Sequence, residues 1–156
     1  MNELAKQVID LLRERRESIS CAESITGGGI TSALVSVAGA SEVLLGSIVA
    51  YSKEMKISQL GLSTELIDSK GLVSADVALA MAEGAKLRIG SSWAISSSGA
   101  AGPSPLDGFA PGEIWIGLVG PNRQESLKLT LNGDRQAVIN GAVESALTLL
   151  ARILST

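Results

Sequence analysis

The sequence has no histidine, one cysteine and four aromatic residues. Without an imidazole there is no Ser–His–Asp or Cys–His catalysis, no His-ligated zinc and no imidazole pH switch. The lone Cys21 can form neither an intrachain disulfide nor a thiolate cluster, which points to a reducing, cytoplasmic setting. Tyr51, Trp93, Phe109 and Trp115 offer little surface on which bases could stack. A formal net charge of −3, spread along the chain, leaves no basic footprint, so nucleic acid is not an expected partner. The longest apolar runs fall short of a bilayer span. Glu3, Lys6 and Asp10 interrupt the N-terminal stretch, so neither a membrane partner nor an export signal is expected.

What is present suits one globular domain. A chain of 156 residues buries roughly 70% of its unfolded surface, enough to hold a core without disulfides or metal. Leu4, Val8, Leu11 and Leu12 recur at helical spacing and predict a helix over 3–16. A short strand at 19–22 runs into Glu23-Ser24-Ile25-Thr26-Gly27-Gly28-Gly29, and Ile30, Ala33, Leu34 and Val37 mark a second helix. Gly39-Ala40-Ser41 breaks it. A strand at 47–51, a polar helical turn from Ser52 and a short helical piece around Leu66 and Ile67 follow. Ser74 and Gly90 bracket a helix over 75–89. A buried strand at 93–97 leads into a Gly- and Pro-rich loop over 98–112. A hairpin of strands 114–119 and 125–131 comes next, then a helix capped by Asp134. This order predicts an α/β fold of three layers, α/β/α, around a mixed sheet, as a single domain over 1–156.

Four stretches can carry chemistry. The turn at 22–29 joins a strand to a helix, so its glycine-flanked amides could hold a phosphate or an oxyanion; a tight polar turn is the plainer reading. It is neither a Walker loop nor a Rossmann fingerprint. Without histidine, a serine nucleophile there needs lysine, carboxylate or tyrosinate as its base. Tyr51 and Lys56, five residues apart after a strand, could point into one pocket, or both lysines of that stretch could be solvated charges. Ser96–Pro103 makes a third polar rim, or hydrogen-bonds its own loop. Gly133-Asp134-Arg135 opens the last helix, where Arg135 could fork onto a phosphate or simply lie at the surface. The carboxylates Glu23, Asp76, Asp107, Glu113 and Asp134 are isolated, and no metal site is predicted.

Taken in order, Ala-Glu-Ser-Ile-Thr-Gly-Gly (22–28), Tyr-Ser-Lys-Glu-Met-Lys (51–56), Ser-Gly-Ala-Ala-Gly-Pro (98–103) and Gly-Asp-Arg (133–135) resemble the CinA C-terminal domain family, the competence/damage-inducible group that includes nicotinamide mononucleotide amidohydrolases. The resemblance implies hydrolysis of the carboxamide of that nucleotide to nicotinate mononucleotide and ammonia, in pyridine nucleotide salvage, with no cofactor and no metal. It places the catalytic serine on Ser24 and its helpers on Tyr51 and Lys56. It places substrate contacts on Ser41 and Arg135, and the motifs add Thr26, Gly27, Gly28, Ser98 and Gly99 as binding candidates. In the implied chemistry Lys56 takes the Ser24 proton, Tyr51 orients Lys56 or relays the proton, amides of 26–28 hold the oxyanion, and Arg135 or the Ser98–Gly99 turn holds the phosphate.

Several residues depart from the family pattern. Ile25 stands for a usual cysteine, Lys53 for an asparagine beside Lys56, and Glu113 for a threonine. The loop 103–108 also lacks the usual paired glycines. These departures keep a second reading open, a catalytically silent nucleotide-binding or regulatory relative, and a third is a pure assembly module. The chain resembles the stand-alone form of the family, without the molybdopterin-binding-like domain many members carry, and a homo-oligomer is expected.

Overall fold

The structure, a computed structural model, describes residues 1–156. In chain order its elements are α1 (Asn2–Arg15), β1 (Ile19–Glu23), α2 (Gly29–Val35), a 3₁₀ turn (Ala40–Glu42), β2 (Leu44–Val49), α3 (Lys53–Leu60), α4 (Thr64–Lys70), α5 (Ala75–Ile89), β3 (Trp93–Gly99), β4 (Glu113–Gly120), β5 (Arg123–Thr130) and α6 (Arg135–Leu154). The sheet runs β2-β1-β3-β4-β5. β1 pairs parallel with both β2 and β3, while β3–β4 and β4–β5 are antiparallel, so the sheet is mixed.

Alternation along the strands divides the interior into two cores. Ile19, Cys21, Ile95, Ile114, Ile116 and Leu118 face α1, α2 and α6, whose Val8, Leu12, Ile30, Leu34, Val143 and Leu147 fill the larger core. Ala22, Ala94 and Val119 face the other way, toward Leu60 of α3, Ile67 of α4 and Val77, Met81 and Ala85 of α5. Three layers result, as the element order implied. α6 alone has the length and apolar composition to cross a membrane, yet its apolar stripe is packed into the larger core.

Hydroxyl and carboxylate caps set where the helices start. Ser52, Ser63 and Ser74 accept from Met55, Leu66 and Val77 amides, and Asp134 accepts from Ala137 N. Gly84 lets α5 lie against α3: a Cβ there would stand 2.1 Å from the Leu60 carbonyl oxygen.

The element types match those expected, and the boundaries move where pairing decides them. β2 spans Leu44–Val49, not 47–51, because pairing with β1 begins directly after the 3₁₀ turn and ends with Ala50 N donating to Glu23 O. Tyr51 therefore lies past the strand. β3 runs on through Ser98 and Gly99, which pair with Trp115 and Ile114, so the loop is 100–112. The hairpin turn is only Pro121-Asn122, with Asn122 in the left-handed region at φ 56°.

Candidate active site

Parallel pairing ends β1, β2 and β3 at one edge of the sheet, where open α/β sheets place their ligands. Ser24 follows β1, Lys56 lies on α3 just past β2, and the 100–112 loop follows β3. The antiparallel β4 and β5 return the chain to the same edge, where α6 begins with Arg135.

Lys56 is buried, 2% exposed, and its Nζ stands 3.0 Å from Ser24 Oγ. Two other groups meet the amine, the Ala50 carbonyl at 3.0 Å and the Tyr51 carbonyl at 3.4 Å. A neutral amine has two N–H groups and one lone pair. With the two carbonyls taking its hydrogens, the lone pair is left for the Ser24 hydroxyl. Burial pulls the Lys56 pKa from its ordinary value down to about 8. At that value about one molecule in ten carries the free base at pH 7.

The turn after β1 is organised by Glu23, which is fully buried. Its Oε2 accepts from the Thr26 hydroxyl (2.5 Å) and from the Gly28 and Ile30 amides (3.1 and 3.0 Å). Its Oε1 accepts from the amide and the hydroxyl of Thr31 (2.8 and 2.5 Å). Because the Thr26 hydroxyl gives its hydrogen to Glu23, Ser97 donates to Thr26 at 2.6 Å. Gly27 and Gly28 turn the chain with φ of 57° and 104°, a region glycine enters without strain.

This arrangement corrects the expected anion site. The Gly28 amide is taken by Glu23 and the Gly27 amide by the Ser24 carbonyl, so neither is free for a ligand. The carboxylate outcompetes a ligand because it is covalently held at the helix N-terminus. The Ile25 and Thr26 amides donate to no group of the chain, and Ile25 lines the cleft.

That cleft has a volume of about 230 Å³. Ser24 and Tyr51 form its floor and rim, Ile25, Ala101, Pro103, Pro105 and Leu106 give an apolar wall, and Arg135 is its charged side chain. Arg135 donates to the Tyr51 hydroxyl at 2.9 Å and to the Gly102 carbonyl at 2.8 Å. Tyr51 thus reaches Lys56 through its backbone carbonyl alone, and its hydroxyl serves Arg135, contrary to the expected orienting or relay contact with the amine.

The other candidates divide. Gly99 lines the cleft, but the Ser98 hydroxyl is buried and donates to Leu72 O at 2.7 Å. Thr26 is buried in the Glu23 network. Ser41 lies in the 3₁₀ turn before β2, at the opposite end of the strands from Ser24, so within one chain it cannot join the site. Lys53 pairs with Asp68 at 2.6 Å and has no part in the Lys56 shift, and Glu113 pairs with Lys128 at 3.4 Å outside the cleft. Neither side chain is bonded to Ser24 or Lys56.

The organising role of Glu23 is not visible in the sequence, where it reads as an isolated carboxylate, whereas the 103–108 loop does supply cleft wall through Pro103–Leu106. The Thr-Gly-Gly-Gly run within eight residues of a carboxylate at a strand end is the nearest signal of that role. No group of three or more His, Cys, Asp or Glu side chains converges here or elsewhere.

The CinA C-terminal domain family model matches residues 1–154. A CinA-like protein of Prochlorococcus marinus (strain MIT 9313) is 42% identical over 154 residues, covering 97% of this chain and 36% of the relative. One from Frankia casuarinae is 40% identical over 148 residues, covering 95% and 34%. The chain therefore spans about a third of the length of the curated relatives it matches. Among solved structures, a CinA superfamily protein from Klebsiella pneumoniae 700603 superposes with a TM-score of 0.95 at 30% identity, covering 99% of this chain and 97% of that one. The competence/damage inducible protein CihA from Agrobacterium tumefaciens gives 0.93 at 30% identity, covering 99% and 95%.

Proposed function

From the premise that this chain belongs to the CinA C-terminal domain family, we propose that it hydrolyses the carboxamide of nicotinamide mononucleotide, with Ser24 as nucleophile and Lys56 as base. The observation that carries this reading is the buried amine 3.0 Å from the serine hydroxyl, with no acid bonded to it.

The Ser24 proton passes to the Lys56 lone pair as Oγ attacks the amide carbon. The oxyanion faces the unpartnered Ile25 and Thr26 amides, each worth about 3–4 kcal/mol when well aligned. Collapse expels ammonia with the proton held on Lys56. Water, deprotonated by the same amine, then cleaves the Ser24 ester and releases nicotinate mononucleotide. The apolar wall from Ile25 to Leu106 suits the flat pyridine ring, and the forked Arg135 suits the phosphate. The reaction consumes water alone and calls for no cofactor.

The test is ammonia release from nicotinamide mononucleotide by wild type, Ser24→Ala and Lys56→Met. Release by wild type and silence in both folded variants is the expected result. A wild type that is stabilised by the nucleotide but releases no ammonia overturns the catalytic assignment and selects the silent nucleotide-binding reading.

A further inference from the structure

We propose that Glu23 is the positioning residue of the nucleophile turn, its buried carboxylate fixing the shape of the turn that sets the Ser24 hydroxyl against Lys56 and leaves the Ile25 and Thr26 amides without a partner in the chain. The proposal rests on the Ser24–Lys56 reading.

A fully buried carboxylate is retained only if its lone pairs are filled, and Glu23 fills them with five donors drawn from residues 26, 28, 30 and 31. Those donors all lie in the turn and first helical residues directly after Ser24. Ser24 itself is pinned on both sides, its amide donating to Ser97 O at 2.9 Å and its carbonyl accepting from Gly27 N at 3.1 Å. α2 has no side-chain cap of its own at Gly28, so Glu23 also takes over the amides that a capping hydroxyl would have met. Ser24 thus sits between the strand end that carries Glu23 and the turn whose donors Glu23 holds, so the carboxylate acts on it through the turn's backbone.

Gln at this position keeps the shape but turns one acceptor into a donor, which meets amides or hydroxyls that themselves donate. Glu23→Gln is expected to lower kcat about 30-fold, in the range that sub-ångström to ångström misplacement produces. KM stays within about threefold and the limb of the pH–rate profile set by Lys56 stays where it is, because the amine keeps its own partners. Labelling of Ser24 by a fluorophosphonate, read against Ser24→Ala, slows in parallel and needs no amide substrate. Thr31→Val removes one donor outside the cleft and is expected to give a smaller loss of the same kind; it carries the test if Glu23→Gln does not fold. A folded variant that has lost stability but keeps wild-type kcat and labelling overturns the proposal alone. A wild type that neither releases ammonia nor reacts with the probe overturns the Ser24–Lys56 reading, and this proposal with it.

Discussion

The Arg135 guanidinium donates to the Tyr51 hydroxyl at 2.9 Å, joining the start of α6 to the β2–α3 junction across 84 residues of sequence. With its second bond to Gly102 O, Arg135 ties three segments of the cleft rim together. Tyr51→Phe removes only the hydroxyl and leaves the carbonyl that meets Lys56. It is expected to lower kcat less than about tenfold, the equivalent of one modest hydrogen bond, and to leave the pH–rate profile in place. A shift of that profile would make Tyr51 a proton carrier. Arg135→Ala is expected to raise KM by about 10- to 100-fold, the loss of a charge-assisted fork, with a smaller effect on kcat. Steady-state kinetics separates the two.

Lys56 gives two opposite readings against pH. In the proposed reaction Lys56 acts as the free amine, so kcat/KM is expected to rise about tenfold per pH unit and to level off above about 8. In the unfolded chain a lysine titrates near 10.4. Between about 8 and that value the unfolded chain holds one more proton than the folded one, so stability rises with pH there, by at most about 3 kcal/mol in total. Lys56→Met is expected to abolish both dependences. Urea unfolding at pH 7.5, 9 and 10 checks the second.

Lys53→Asn puts in the asparagine that the family resemblance leads one to expect beside Lys56. Lys53 is bound to Asp68 in a half-exposed ion pair worth at most about 1 kcal/mol. The substitution is expected to leave kcat, KM and the pH limb within about twofold. A displaced limb would mean that the Lys53 charge is felt at Lys56.

Gly84→Ala drives a methyl into the Leu60 backbone carbonyl, and because the methyl sits directly on the α5 backbone neither side gives way cheaply. Overpacking of this kind is expected to destabilise by about 1–3 kcal/mol. Leu60 closes the helix that holds Lys56, so kcat should fall as well. Denaturant unfolding beside a kinetic assay on the folded fraction reads both.

Local chemistry made much of this legible in the sequence. Ser74, Gly90 and Asp134 mark helix ends because a capping hydroxyl or carboxylate and a left-handed glycine act within four residues. Ser24, Tyr51, Lys56 and Arg135 were reachable by motif. What Tyr51 touches was not, because that depends on a strand ending two residues early and on a guanidinium arriving from α6. Ser41 misled for the same reason: its place is set by strand register, which puts it at the far edge of the sheet from Ser24. Glu23 was hidden because its five partners are mostly backbone amides, which carry no residue-type signal.

The parallel pairing of β1 with β2 and β3 also fixes when the site can exist during folding. Ser24 and Lys56 are 32 residues apart and Tyr51 and Arg135 are 84 apart, so no helix or hairpin formed on its own assembles any part of the pair or the rim. Each crossover must close before Ser24 meets Lys56, and such nonlocal closure is the slow part of folding a mixed sheet. In refolding from denaturant, helical ellipticity is expected to recover ahead of the proposed amidase activity.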